Sequence, residues 1–236
     1  MTELVLIRHG QANSAGENYD ELTEAGREQA RKVGAWLATS GYTFDRVLHG
    51  GLKRQAETLE LILGKMPKTA PVFSAAEIHP ALAEFDLKIF YTLAAEMRHG
   101  NAGFAEVLKA WNKARHSDST DKGDIFKQLM GLVIGEWTRR GESFTAAESF
   151  PAFQRRVLSV FELASPAPQR ILAVTSGGPI SLIVGGALGL GTAETLGLIR
   201  RIYNTSIHHL ALKDVRRDLV CFNAVPHLAL GARTLV

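Results

Sequence analysis

Residues 171–190 read ILAVTSGGPISLIVGGALGL and carry no charged side chain. About 20 apolar residues can cross a bilayer, so length alone permits a membrane span. The order of the residues argues against it. Strand-forming residues 171–174 come first, a TSGG corner follows, and Pro179 then falls in the first turn of a helix-compatible run, where its missing N–H costs little. We therefore expect a buried strand, a tight corner and a buried helix.

Two further apolar runs are typical of strands: ELVLI at residues 3–7 and FDRVL at residues 44–48. Like RILAV at residues 170–174, each is followed by a polar or glycine-rich turn and then by a helical pattern. Strands that alternate with helices indicate a mostly parallel sheet with helices on both faces. We predict a three-layer α/β fold, formed by residues 1–236 as a single domain.

The helical patterns predict which faces are buried. After Thr23, an N-cap residue type, the first helix should bury Gly26, Ala30, Val33 and Leu37. After Gly51, the second helix should bury Ala56, Leu59 and Leu63.

Between Glu84 and Ser176 we predict a helical insertion, over about residues 89–164, with a loop at RHSDSTDKGD (115–124). No convincing strand pattern occurs there, and its last part carries a helical stripe formed by Phe150, Phe153, Val157, Val160 and Ala164. The segments SIHHLAL and DLVCFNAV that follow resemble a closing β-hairpin.

Composition excludes several classes of protein. The 27 basic and 24 acidic residues are spread along the chain, so we expect no nucleic-acid partner. Cys221 is the only cysteine, which excludes an internal disulfide and a cysteine-rich metal site. The apolar run in MTELVLIRHG is short and is cut by Arg8, unlike a secretory signal. We expect a cytoplasmic protein with no membrane partner.

Polar residues follow three of the predicted strands. Arg8 and His9 end the first strand, Arg54 begins the helix after the second, and Ser176 and Gly177 form the corner after RILAV. In open α/β sheets, ligands bind beyond the carboxyl ends of the strands. Arginine side chains and a helix N-terminus are suited to phosphate oxygens, and a histidine can act as nucleophile toward phosphorus.

Each of these candidate site residues, and the acidic residue Glu84, also has a purely structural interpretation. Arg-His-Gly can be a turn, Arg54 a solvated helical residue, Glu84 a surface residue, and Ser176 an ordinary strand-end residue. We predict no metal site, because the remaining histidines have no partner at metal-binding spacing and are expected to serve at the surface or in packing. These histidines are His49, His79, His99, His116 and His227.

The ordered set of motifs resembles the histidine phosphatase superfamily, in its phosphoglycerate-mutase-like branch. The resemblance covers LIRHG, LTEAGREQA, GLKRQAET (the family's Leu-x-Arg-Ala-x-x-Thr), LAEFD (its Leu-x-Glu), ILAVTSGGPI and NTSIHHL, in that order. It implies a phosphohistidine mechanism without a cofactor. His9 would attack phosphorus, Arg8 and Arg54 would hold the phosphoryl oxygens, and Glu84 would be the proton donor.

The chain also departs from the family's pattern. Members usually carry a second histidine in a Val-x-His-Gly corner, and here Ser176 stands in its place. A serine hydroxyl can donate a hydrogen bond but cannot supply the positive charge of an imidazolium. We expect neither His208 nor His209 to replace it, because both fall within a strand, away from its carboxyl end.

Three functions follow from these observations. The first is a phosphohydrolase that acts on a phosphomonoester or phosphoprotein through a phosphohistidine at His9, with activity reduced by the loss of the second histidine. The second is a non-catalytic phosphate-binding or regulatory module. The third is a sugar-phosphate mutase, which would need a phosphoenzyme that survives while the substrate reorients. The sequence indicates neither the particular substrate nor the oligomeric state.

Overall fold

A computed structural model of the chain describes residues 1–13, 20–67, 76–117 and 121–235. Within these residues, six strands form one sheet in the order β3-β2-β4-β1-β5-β6. The strands are β1 (Thr2–Arg8), β2 (Arg46–His49), β3 (Glu77–Ile78), β4 (Gln169–Thr175), β5 (Ile207–Lys213) and β6 (Arg216–Ala224).

The sheet is mixed. Strands β3, β2, β4 and β1 pair in parallel, whereas β5 and β6 form the predicted hairpin and pair antiparallel. Every side chain from Leu4 to Ile7 is fully buried. Because successive strand residues point to opposite faces, both faces of β1 are covered. The predicted α/β fold, with helices on both sides of a central sheet, is confirmed.

The backbone divides into two compact units, Met1–Glu84 with Arg156–Val236, and Phe85–Arg155. That residues 1–236 form a single domain stays a prediction. The helices are α1 (Glu24–Thr39), α2 (Lys53–Leu63), α3 (Leu87–Gly100), α4 (Ala102–Ala114), α5 (Lys122–Arg140), α6 (Phe150–Leu158), α7 (Gly177–Leu188) and α8 (Thr192–Ile199).

The stretch 171–190 folds as its residue order predicts, into β4, a corner at Ser176 and the helix α7. Helix α7 is buried from Gly177 to Gly185, which accounts for its lack of charge. No helix within the described parts of the chain is long and apolar enough to cross a membrane.

The unit Phe85–Arg155 is helical, and an aromatic cluster forms part of its core. The Trp137 ring lies 5.3–5.4 Å from the rings of Phe85, Phe150 and Phe153. The predicted loop at 115–124 is shorter than expected, because α5 already begins at Lys122; its residues 118–120 lie outside the described residues.

The first helix buries the predicted face, whereas the second buries only Leu59 of its three predicted residues. In α1, Thr23 accepts a hydrogen bond from the Gly26 N–H as the N-cap. In α2, Ala56 and Leu63 are only half-buried, and the buried residues are Arg54, Gln55, Thr58, Leu59 and Ile62. The buried face of α2 is therefore partly polar, and its polar residues lie at the site described next.

Candidate active site

The backbone of His9 is held by its neighbours at the carboxyl end of β1. Its N–H donates to the Thr175 carbonyl (2.9 Å), which continues the pairing of β1 with β4. Its own carbonyl accepts from Asn204 Nδ2 (3.2 Å), and the next N–H, of Gly10, donates to Thr58 Oγ1 (3.0 Å). The backbone that carries the imidazole is thus fixed from several sides.

Glycines allow the start of α1 to approach this backbone. A Cβ at Gly10 would lie 2.4 Å from the Gly26 carbonyl oxygen, and a Cβ at Gly26 would lie 2.1 Å from the Gln11 carbonyl oxygen. Real side chains do not tolerate such distances. The glycine after His9 and the glycine of the LTEAG segment are therefore required for this packing.

The imidazole of His9 is buried and held as one tautomer. Nδ1 lies 2.7 Å from the Gly10 carbonyl oxygen, and Nε2 lies 3.2 Å from Nε of Arg54. A carbonyl only accepts and an arginine only donates, so Nδ1 carries the proton and Nε2 presents its lone pair. Burial, then the charges of Arg54 and Arg8, hold the pKa of His9 well below its ordinary value. The ring is therefore neutral near pH 7, with its nucleophilic nitrogen toward Arg54.

Arg54 is buried at the start of α2, and Asp20 binds it from a distant part of the chain. Asp20 Oδ1 lies 2.9 Å from Arg54 Nη1, and Asp20 Oδ2 accepts from the backbone N–H of Lys53 (2.8 Å). Sequence reasoning missed Asp20. Its partners lie 33 and 34 residues later in the chain, so no local pattern could have revealed the contact.

Arg8 lies at the site but is partly engaged with backbone. Its Nη1 donates to the carbonyl oxygens of Ile202 (2.5 Å) and Leu235 (2.6 Å). Its Nε is 3.9 Å from where a Cβ of Gly177 would be. Arg8 therefore runs beside the first residue of α7 while it also anchors two chain segments.

The N-terminus of α7 receives the carboxylate of Glu84. Ser176 is the N-cap residue, and the N–H of Gly178 donates to Glu84 Oε2 (3.1 Å). A Cβ at Gly178 would lie 2.3 Å from Glu84 Oε1, so only glycine permits this approach. A helix N-terminus stabilises negative charge. Glu84 therefore belongs to this corner rather than to the open surface.

Ser176 does not use its hydroxyl to cap α7. Its Oγ instead accepts a hydrogen bond from Nε2 of Gln55 (2.9 Å), and both residues are buried. Sequence reasoning missed Gln55. The signal was its position, since Gln55 stands where the Leu-x-Arg-Ala-x-x-Thr pattern has alanine.

His208 is buried within β5 and fully occupied by hydrogen bonds. Its Nδ1 accepts from the N–H of Asn223 (3.3 Å), and its Nε2 lies 2.9 Å from Ser206 Oγ, which donates to the Tyr203 carbonyl (2.7 Å). Burial, then the charge of Arg8, lowers the pKa of His208 to about 3. These contacts describe a structural residue. That neither His208 nor His209 takes the second histidine's role stays a prediction.

The predicted site residues are linked through α2 and the start of α7. His9 contacts Arg54; Gln55, the next residue in α2, contacts Ser176; and Glu84 contacts the second residue of α7. In the parts of the chain that the structure describes, no three His, Cys, Asp or Glu side chains are grouped as metal ligands would be. The arrangement thus offers a neutral imidazole, two arginines, a hydroxyl and a carboxylate.

Comparison with known proteins identifies the family. The model of the histidine phosphatase superfamily (branch 1) matches residues 4–131 and 126–225, so the chain belongs to this superfamily.

Several solved structures share the fold. The phosphoserine phosphatase of Entamoeba histolytica, solved with 3-phosphoglyceric acid, is 19% identical, with a TM-score of 0.56 over 97% of this chain and 100% of that one. The alpha-ribazole phosphatase of Shigella flexneri is 22% identical, with a TM-score of 0.57 over 94% and 96%. The phosphoglycerate mutase of Bacillus anthracis is 19% identical, with a TM-score of 0.61 over 94% and 92%.

Proposed function

We propose that the protein is a phosphohydrolase that acts on a phosphomonoester or a phosphoprotein through a phosphohistidine at His9. The observation that carries this proposal is the state of the His9 ring. Its Nδ1 is hydrogen-bonded to the Gly10 carbonyl. Its Nε2, which carries the lone pair, lies 3.2 Å from the Nε donor of Arg54. A neutral imidazole is the nucleophilic form, and an adjacent cation attracts the anionic group that it attacks.

In the first step, His9 Nε2 forms a bond to phosphorus while the bond to the leaving oxygen breaks. The Nε donor of Arg54 passes from the His9 lone pair to a phosphoryl oxygen, where a charge-assisted bond is stronger. Arg8 and the N-terminus of α7 hold the other phosphoryl oxygens. Glu84 enters this step as the carboxylic acid, the form that the second step regenerates, and gives its proton to the leaving alcohol.

In the second step, Glu84 accepts a proton from water, whose oxygen attacks phosphorus. The N–P bond breaks, inorganic phosphate leaves, and the electron pair returns to His9 Nε2. His9 Nδ1 keeps its proton in both steps and donates it to the Gly10 carbonyl, so the ring carries a positive charge only in the phosphorylated state. The two arginines that lower the pKa of His9 then interact with the bound phosphoryl group.

A second candidate, a non-catalytic phosphate-binding module, is favoured by one observation. The corner that carries a histidine in the family's pattern here holds the uncharged hydroxyl of Ser176, which accepts a hydrogen bond from Gln55. A neutral hydroxyl can bind a phosphoryl oxygen but stabilises the negative charge that develops during transfer less than an imidazolium does. The site would then bind phosphate without supporting turnover.

Hydrolysis of a panel of phosphomonoesters, beginning with 4-nitrophenyl phosphate, separates the two candidates. We expect turnover by the wild type and none by H9A, which loses the nucleophile. H99A is the matched control, because His99 is an exposed histidine of α3 and should retain full activity. Wild-type turnover in purified H9A would refute the role of His9. Vanadate binding without turnover of any substrate would favour the binding module.

A further inference from the structure

The side-chain amide of Gln55 is fully buried and can adopt only one orientation. Its Oε1 accepts the backbone N–H of Leu52 (3.2 Å), while its Nε2 donates to Ser176 Oγ (2.9 Å) and approaches the Leu82 carbonyl oxygen (3.4 Å). The Leu52 N–H can only donate and the Leu82 carbonyl can only accept. Turning the amide over would lose both contacts, so Nε2 faces Ser176.

This orientation restricts where the hydroxyl proton of Ser176 can point. Because Ser176 Oγ accepts from Gln55, its own proton is directed away from that amide. Ser176 is only 1% exposed. Among the hydrogen bonds of the described residues, none has the Ser176 hydroxyl as donor. Buried donors normally have a partner, so this one is poised for a group that binds at the site.

The surroundings indicate what kind of group binds there. Ser176 directly follows Thr175, whose carbonyl accepts the His9 N–H, and directly precedes Gly177, which lies beside Arg8. It is also the N-cap of α7, where the helix dipole favours an anion. The acceptor that fits this position is an oxygen of an anionic group held at His9.

We propose that Gln55 is a positioning residue that fixes the Ser176 hydroxyl as a hydrogen-bond donor to a phosphoryl oxygen of the substrate. Gln55 does not touch the substrate itself. The inference rests on the proposed function, in that a phosphoryl group is the anion expected at His9. On this proposal, the corner at Ser176 binds the anion through a neutral hydroxyl oriented by Gln55, where the family's pattern has a histidine that can carry a charge.

A double-mutant cycle between Q55M and S176A tests the proposal. Methionine has nearly the length of glutamine but cannot donate to Ser176. The measurements are the dissociation constant for inorganic vanadate, kcat and KM for 4-nitrophenyl phosphate, and thermal unfolding. We expect Q55M and S176A each to weaken vanadate binding and lower kcat by about tenfold, the loss of one neutral donor. In the S176A background, Q55M should change either quantity by less than about twofold, because coupled residues are not additive.

Q169M is the matched control. Gln169 also donates from Nε2 to a hydroxyl, that of Thr2 (3.2 Å), but it lies at the opposite end of β4 from Ser176. Its replacement should leave vanadate binding unchanged. If Q55M does not fold, Q55E keeps the shape and the Oε1 acceptor but reverses the bond to Ser176. It should then weaken vanadate binding more in the wild-type background than in the S176A background.

Independent, multiplicative effects of Q55M and S176A, or wild-type vanadate binding in Q55M, would overturn the proposal. Failure of the wild type to bind vanadate would overturn it as well. A wild type that binds vanadate with the expected coupling but hydrolyses no phosphomonoester would refute the hydrolase and leave the role of Gln55 standing.

Discussion

Replacing Ser176 by histidine tests whether this corner holds the phosphoryl group. A protonated imidazole there would add a charged donor where negative charge develops, so activity should rise if the pocket has room for the ring. The structure adds a steric condition, because Gln55 Nε2 lies 2.9 Å from Ser176 Oγ in a buried position. In the rotamer of Ser176, the ring atoms of a histidine would occupy the place of this amide.

The expected magnitudes follow from this contact. S176H alone should lose about 1–3 kcal/mol of stability to overpacking and should gain no activity. The Q55A substitution removes the amide, so S176H/Q55A should have room for the ring. One preorganised donor is worth about 10²–10³ in rate, and we expect about tenfold over the wild type because the surroundings are adapted to serine. That gain corresponds to about 1.4 kcal/mol of transition-state stabilisation.

The assay is kcat and kcat/KM for 4-nitrophenyl phosphate as a function of pH, with thermal unfolding of each variant. Q55A alone is the control and should be less active than the wild type. The gain should appear mainly in kcat and fade above about pH 6–7, where an unperturbed imidazole loses its proton. A folded S176H/Q55A protein no more active than Q55A at any pH would refute the placement of Ser176 in the pocket. A gain in S176H alone would refute the steric argument.

Three further predictions concern single residues. R54A should weaken vanadate binding by about 10²-fold and R54K by about tenfold, because lysine keeps the charge but loses the planar guanidinium; equal dissociation constants in both variants and the wild type would remove Arg54 from the pocket. E84Q should lower kcat by about 10²–10⁴ for an alkyl phosphate and by less for 4-nitrophenyl phosphate, whose leaving group needs no proton; equal losses would argue against a proton donor. In the folded protein His208 has a pKa of about 3 and stays neutral, whereas in the unfolded chain it takes up a proton near about pH 6.5. The stability that the folded state gains from a neutral His208 is therefore complete above that pH and is lost as the pH falls. Between about pH 6 and 4, the unfolding free energy of the wild type should therefore fall more steeply than that of H208Q, by up to about 1.4 kcal/mol per pH unit; parallel urea-unfolding curves would contradict this.

Much of the fold could be predicted because the pattern of apolar and polar residues in most helices and strands agrees with which of those residues are buried. Strand β4 from Ile171, the corner at Ser176 and helix α7 as far as Gly185 are buried, so the apolar composition of this stretch agrees with its position. The helix α1 has a capping threonine and one apolar face, which are local signals. The two-residue strand β3 was missed, since Glu77 and Ile78 are both exposed and no burial pattern marks them.

The second helix shows why the site was harder to predict than the fold. A rule that places apolar residues inside favours Ala56 and Leu63, whereas the structure buries Arg54 and Gln55. Burying these polar groups is possible because distant residues satisfy them, Asp20 and His9 for the arginine, and Ser176 for the glutamine. Hydrogen bonds between residues far apart in the chain produce no periodic pattern in a single sequence, so the burial of these two polar residues could not be predicted from it.

Rapid-quench trapping of the phosphoenzyme tests the central claim most directly. The wild type is mixed with labelled phosphomonoester, denatured within one turnover, and assayed for protein-bound phosphate that survives base and is lost in acid. The account predicts a burst that approaches one phosphate per chain, located at His9 by peptide mapping, and no burst in H9A. Multiple turnovers by the wild type with no labelled protein at any time, or label that persists in H9A, would contradict it.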